Sequence, residues 1–212
     1  MTDKHVTFFA LKSACEESGC PVCTVIRERC EKYIDNMLFE HVSDRGFRAK
    51  YRAAGGFCAR HSRNLDSFRD GLAVAILGAD ILERFMGEFK KKKIRKPEGI
   101  CPACEEQSRI ETEFLTFLAQ EDDSSQTNEE VRQFFTSSDG LCVPHYAMAI
   151  QRVKKIPRWL ADFQENKYAS LYERTRNFIE FSAWGRQKDF EKLSAEDKIV
   201  WKEIARVLRG NC

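Results

Sequence analysis

The sequence predicts an all-α fold: a multi-helix bundle built from two pseudo-repeated helical units, each with a Cys3His metal site. Three observations carry this. Apolar residues recur at helical spacing along most of the chain, and strand-like alternation is essentially absent. A C-x2-C motif, Cys20-Pro21-Val22-Cys23, returns as Cys101-Pro102-Ala103-Cys104. Each copy is followed at similar distance by a C-x2-H motif, Cys58-Ala59-Arg60-His61 and Cys142-Val143-Pro144-His145.

The 212 residues suffice for one domain or two small ones. With 42% hydrophobic and 32% charged residues, the composition is that of an ordinary soluble globular protein. A net charge of +2 sets up no global field, so neither nucleic acid nor a membrane is expected as a partner. No run of 18 apolar residues is present, so no transmembrane helix is read. The stretch Met1–Phe9 lacks a basic region followed by a long apolar one, and the protein is expected in the cytoplasm. Thiols stay reduced there, so the nine cysteines point to metal binding or catalysis and away from a disulfide framework.

Leu11, Ala14 and Cys15 form one apolar turn ahead of Ser18-Gly19. Cys20-Pro21 opens a long helix, because proline fits the first turn without losing a bond. Its stripe runs through Val22, Val25, Ile26, Cys30, Tyr33, Ile34 and Met37, with Cys30 read as a buried core thiol. Ser43-Asp44-Arg45-Gly46 interrupts it. Phe47 to Ala54 makes a short helix that Gly55-Gly56 ends. Cys58 and His61 open a further helix carrying Leu65 and Phe68. From Leu72 to Phe89 a helix is apolar nearly all round in its first half, which places it at the centre of the core. Gly78 and Gly87 on it offer close helix approach. Lys90 to Lys96 holds six basic residues in seven and is read as a solvated helix end. It is also the best internal boundary, dividing 1–96 from 97–212 within what is expected to be one compact domain.

The second half echoes the first. Cys101-Pro102 opens a helix with Ile110, Phe114, Phe117 and Leu118. Glu121 to Asn128 is polar and loop-like. Tyr33 and Phe114 both lie 13 residues beyond the first cysteine of their copy. Arg48 and Arg132 precede the third cysteine by ten, and Tyr51 and Phe135 by seven. Gly56 and Gly140 coincide, and the intervals from Cys23 to Cys58 and Cys104 to Cys142 hold 34 and 37 residues. Agreement outside the ligands favours a duplicated unit. Beyond His145 follow a helix with Met148 and Ile150, a break at Ile156-Pro157, and a long aromatic helix from Trp159 to Phe181. Ser194-Ala195-Glu196-Asp197, a capping box, starts a last helix. Cys212 is a bystander.

Two cysteines at C-x2-C spacing and a distant C-x2-H pair make a closed four-donor set, sufficient for tetrahedral zinc. Cys20, Cys58, Cys101 and Cys142 are placed at helix N-termini, where the dipole favours thiolate. The expected metal residues are Cys20, Cys23, Cys58, His61, Cys101, Cys104, Cys142 and His145, holding two zinc ions. One or two iron–sulfur clusters are the alternative cofactor, and a redox dithiol the catalytic rival. Spacing leaves open whether the sets close within each copy or between copies, as in Cys20/Cys23 with Cys142/His145. Phosphate loops and hydrolase motifs are absent from the sequence, and Glu40 and His41 belong to no motif.

These residues resemble a family of uncharacterised bacterial and archaeal proteins with duplicated C-P-x-C … G-[FL]-C-x-x-H units. The matching residues are Cys20 to Cys23, Gly56 to His61, their second copies, and Trp184-Gly185-Arg186-Gln187-Lys188-Asp189. The resemblance implies a helical metal-site protein and brings no activity with it. The expected function is non-enzymatic: a metal-stabilised scaffold for a protein or small-molecule partner, with oligomeric state open.

Overall fold

A computed structural model describes residues 6–63, 65–68, 70–120 and 126–210. Cys212, the acidic pair Asp122-Asp123 and most of the polar stretch from Glu121 lie outside the described residues. Among the described residues the secondary structure is helical, with no strand. The α-helices are α1 (Val6–Cys15), α2 (Pro21–Glu40), α3 (Arg45–Ala54), α4 (Gly71–Lys90), α5 (Pro102–Leu118), α6 (Gln126–Thr136), α7 (Val143–Arg152), α8 (Arg158–Phe181), α9 (Gln187–Glu191) and α10 (Val200–Arg209). No helix is long and apolar enough to cross a membrane among the described residues.

Most boundaries follow from local chemistry. Asp44 caps α3 by accepting a hydrogen bond from the Phe47 amide, and Gly55 ends it in the left-handed conformation, φ +74°. Ser194 Oγ accepts from the Asp197 amide in the turn ahead of the 3-10 helix Asp197–Ile199, which leads into α10. The expected helix from Cys58 does not form. Residues 59–63 make turns and only Leu65–Ser67 is a 3-10 helix, because the left-handed Gly55 and Gly56 set the entry and Asp70 recaps the chain at once.

By packing, the chain divides into two compact units, Met1–Ile26 with Glu111–Cys212, and Arg27–Ile110. This division cuts across the expected boundary at 96/97. In the first unit α1 packs on α6, and α10 packs on α7 and α8. Its core holds Phe8, Leu11, Val25, Phe114, Leu118, Phe135 and Leu160, with Phe8 edge-on to Phe134 and Phe135 edge-on to Trp159 and Phe163. In the second unit α3 packs on α4, around Ile34, Leu38, Tyr51, Phe57, Leu77 and Ala103. Cys30 is buried with its thiol 4.0 Å from the Ala103 carbonyl, as a core cysteine should be.

The central place expected for α4 is corrected. It buries only Ala73, Leu77 and Asp80, and leaves Leu72, Leu82, Met86 and Phe89 exposed. A Cβ added at Gly78 or Gly87 would meet nothing within 4 Å, so neither glycine serves a helix contact in the chain. Uniform apolarity reported a helix with two greasy faces, and the chain covers one.

Asp80 is buried on that covered face, where the Arg48 guanidinium grips it through two hydrogen bonds, 2.7 and 2.6 Å. Arg48 holds the Asp80 carboxyl below its ordinary range, against the opposing effect of burial. The contribution is therefore present above the unfolded carboxyl value of about 3.9 and is lost as pH falls through the depressed folded value. Asp80→Asn should lower the melting temperature at neutral pH, and the gap to the parent should close below about pH 4. Thermal melts of both proteins across that range measure it; a gap independent of pH counts against the pair.

Candidate metal centres

The eight predicted side chains gather into two groups of four, but not in the arrangement of one site per copy. Cys20 and Cys23 meet Cys142 and His145, and Cys58 and His61 meet Cys101 and Cys104. Each C-x2-C closes with the C-x2-H of the other half. Within each group the donor atoms all lie within 4.8 Å of one another. The first group falls in the unit formed by the chain ends, the second in the unit Arg27–Ile110.

Helix starts position most of the donors. Cys20 immediately precedes α2 and Cys101 immediately precedes α5, so Cys23 and Cys104 follow one turn in. Cys142 is the N-cap of α7, with proline in the first turn and His145 next. In all three places the first cysteine's carbonyl accepts the helix's opening hydrogen bond, from Thr24, Glu105 and Tyr146. Its side chain is thereby left free to face the partner motif. Cys58 is the exception: its carbonyl accepts from the Ser62 amide in a single turn with no helix behind it.

The first group is buried throughout. His145 Nδ1 lies 3.4, 3.5 and 3.3 Å from the sulfurs of Cys20, Cys23 and Cys142, and Cys23 Sγ lies 3.8 Å from Cys142 Sγ. The segments are pinned before they reach the site. The Gly19 amide donates to Asp139 Oδ2 at 2.6 Å, joining the residue before Cys20 to the strand-like approach of Cys142. Gly140 turns that approach at φ +78°, and a Cβ there would stand 3.0 Å from Gln164 Oε1. Gln164, fully buried on α8, accepts from the Leu141 amide at 2.8 Å and donates to its carbonyl at 2.9 Å. Tyr168 donates to the same carbonyl at 3.1 Å. On the far side of the imidazole, His145 Nε2 faces the buried carboxylate of Glu111 at 3.9 Å, and Glu111 in turn faces Arg152 at 3.8 Å. A carboxylate behind a histidine orients the ring and fixes which nitrogen carries the proton.

The second group is more open: only Cys101 is buried, and the other three are half-buried. His61 Nδ1 lies 3.4, 3.6 and 3.4 Å from the sulfurs of Cys58, Cys101 and Cys104, and Cys58 Sγ lies 3.7 Å from Cys104 Sγ. Gly56, at φ +95°, turns the chain under the Tyr51 ring. The Tyr51 hydroxyl hydrogen-bonds the Phe57 backbone, and the two rings meet edge-on. Burial lowers the pKa of His61, Arg60 adds to this, and a hydrogen bond with Gln107 opposes it.

The thiols share their protons unevenly. Cys142 is held far below its ordinary range by hydrogen bonds from Cys20 and Cys23 and then by His145. Burial first, then Cys142 and Cys23, push Cys20 well up. In the second group burial tends to raise Cys58, but the amides of His61 and Arg60 and the thiols of Cys104 and Cys101 outweigh it and the net shift is downward. Cys104 is pushed up to about 12 by burial first and Cys58 next. In both groups the acidic thiol belongs to the C-x2-H segment. Crowded sulfurs out of water cannot all carry charge unless a cation joins them.

The motifs named the eight side chains that gather; they did not point to Gln164, Tyr168, Glu111 or Gln107. Gln164 carried a signal, as a polar residue on the apolar stripe of Leu160 and Leu171. Glu40 is exposed and His41 half-buried, 3.9 Å apart, and neither joins either group.

Residues 2–93, which hold Cys20, Cys23, Cys58 and His61, match the model of a family of unknown function, DUF6062. The chain is also 27% identical over 146 residues to an uncharacterised 23.9 kDa protein in the xynA 3' region of Caldicellulosiruptor sp. (strain Rt8B.4), covering 66% of this chain and 70% of that one. No solved structure matches. These are similarities to an uncharacterised family, as the C-P-x-C and G-F-C-x-x-H motifs imply.

Crosswise closure has a measurable signature in double-mutant cycles. Cys23→Ser and Cys142→Ser strike one group, so the double variant should lose little more stability than the worse single one. Cys23→Ser and Cys58→Ser strike different groups and should add to within about 0.5 kcal/mol. Equilibrium denaturation reads both; the reverse pattern means closure within each half.

Proposed function

We propose that the protein is a non-enzymatic zinc protein of the cytoplasm, in which each Cys3His group holds one ion and the two ions rigidify a helical scaffold for a protein or small-molecule partner. The distances between donors carry this reading. A tetrahedral zinc with bonds of about 2.3 Å to sulfur and about 2.05 Å to nitrogen holds sulfurs about 3.8 Å apart and sulfur and nitrogen about 3.6 Å apart. The two sulfur pairs lie at 3.8 and 3.7 Å and the six sulfur–nitrogen pairs at 3.3 to 3.6 Å. Three thiols, one imidazole and a first group buried on all sides match a closed structural site more than an open catalytic one. In an iron–sulfur cluster the four protein ligands are divided among two or four irons, which spreads the donors further than the 4.8 Å within which each group lies. A redox dithiol would leave the C-x2-H segments without a role. The matched spacings of the two halves support descent from one duplicated unit, and six of the nine cysteines gathered around two histidines, in place of paired off for disulfides, support a reducing compartment such as the cytoplasm.

When bound, zinc supplies positive charge that lets the three thiols of a group ionise together. The chain supplies the rest: helix starts aim the sulfurs, Gln164 and Tyr51 hold the approach to each third cysteine, and Glu111 and Gln107 orient the two imidazoles.

Metal analysis of protein purified without oxygen tests the proposal. The expected result is two zinc per chain and no colour; brown protein with iron and sulfide would sink it in favour of a cluster. Cys142→Ser and Cys58→Ser should each remove one ion and lower the melting temperature. Because the second group is the more exposed, a chelator should strip its ion first. Glu111→Gln should weaken zinc about 10- to 100-fold at the first group alone. Stopped-flow chelation of parent and variant reads both, and simultaneous release of the two ions would count against independent sites.

A further inference from the structure

The uncovered face of α4 has a pattern of its own. Leu72, Ala75, Ala79, Leu82, Met86 and Phe89 are all exposed, the four large ones at 73%, 63%, 56% and 59%. They are spaced three, four, three, four, three, which is the seam of a coiled coil over more than two heptads. No charged residue interrupts the seam, and a contiguous exposed apolar strip of this kind marks an interaction site. The strip is also symmetric in its own register. Leu72 and Phe89, Ala75 and Met86, and Ala79 and Leu82 are equidistant from the midpoint between Asp80 and Ile81.

We infer that α4 is the seam of an antiparallel homodimer, packing on α4 of a second copy about a two-fold axis at that midpoint. Antiparallel packing sets Ala75 against Met86 of the second copy and Ala79 against Leu82, so each inner layer joins a small residue to a large one. Leu72 and Phe89 close the ends. A two-fold contact must be self-complementary, and this register makes it so. Gly78 flanks the centre with open space where its Cβ would stand, which lets the backbones approach.

Charge agrees with the direction. Asp70 caps the start of α4, Lys90 ends it and Lys91 to Lys93 follow, so the antiparallel arrangement sets the acid of one copy beside the lysines of the other. The helix dipoles also oppose. Glu83, at the edge of the seam, is already paired with Arg52 at 3.3 Å. A specific interface needs about 1,000 Å² in all, and the strip brings to it four large side chains each more than half exposed.

Sedimentation equilibrium of the metal-loaded full chain tests this. The parent should sediment at twice the chain mass at micromolar concentration. Leu82→Lys and Ala79→Glu, both at exposed positions, should each weaken the dimer about 30-fold or more while helicity by circular dichroism and zinc content stay unchanged. Mixed in equal amounts, the two variants should associate again, because positions 79 and 82 face each other only in the antiparallel register. Met86→Ser is a milder variant that should weaken the dimer in the same direction. A parent that stays monomeric at ~100 μM overturns the inference, including the case where another protein occupies α4, since weaker self-association falls outside the range of specific complexes. A dimer indifferent to both charged variants, or a mixture that fails to re-associate, overturns it as well.

Discussion

Three sulfurs and an imidazole crowded into one small, water-poor volume are the constraint on which the structure depends. Desolvation and mutual repulsion allow one ready thiolate in each group, Cys142 in the first and Cys58 in the second, while Cys20 and Cys104 are driven the other way. A divalent cation reverses the balance by turning repulsion among sulfurs into bonds. Much of the nearby architecture serves that geometry. Positive-φ glycines turn the approaches, a buried glutamine holds Leu141 from both sides, and a buried carboxylate stands behind one histidine.

The two groups stand in unequal surroundings. The first sits in a unit whose core is rich in fully buried large side chains such as Phe8, Phe114, Phe135 and Leu160. The second sits in a shorter unit, Arg27–Ile110, with a leaner core in which one face of α4 contributes Ala73, Leu77 and a charged Asp80. Small units with limited apolar burial commonly depend on a staple, and a bound ion is one of the strongest. An ion in the more exposed group, as proposed, would stabilise the unit that has less else to hold it.

Most of the helices and the Cys and His motifs were legible in the sequence, because each follows from interactions within a few residues. The pairing of the donors was not. Spacing measures neighbours along the chain, and Cys20 finds His145 across 125 residues. The turn after Cys58 was misread as a helix because apolar spacing at Leu65 and Phe68 mimics one over a short window. Periodicity also showed that α4 is greasy on two faces without showing how many of them the same chain would cover. Gln164 escaped because a polar residue on an apolar stripe reveals itself only when its buried partners, here the two backbone groups of Leu141, are known.

Crosswise closure bears on the order in which the protein is made. The segment up to His61 leaves the ribosome with Cys20, Cys23, Cys58 and His61, which is already a full Cys3His complement. It can capture an ion before Cys101 and Cys104 exist. The finished arrangement separates those four donors into two groups, so any such early complex must release its ion and trade ligands with the later half. With an ion in each group as proposed, maturation would be a ligand-exchange problem as much as a folding one, its speed set by how much free metal surrounds the nascent chain.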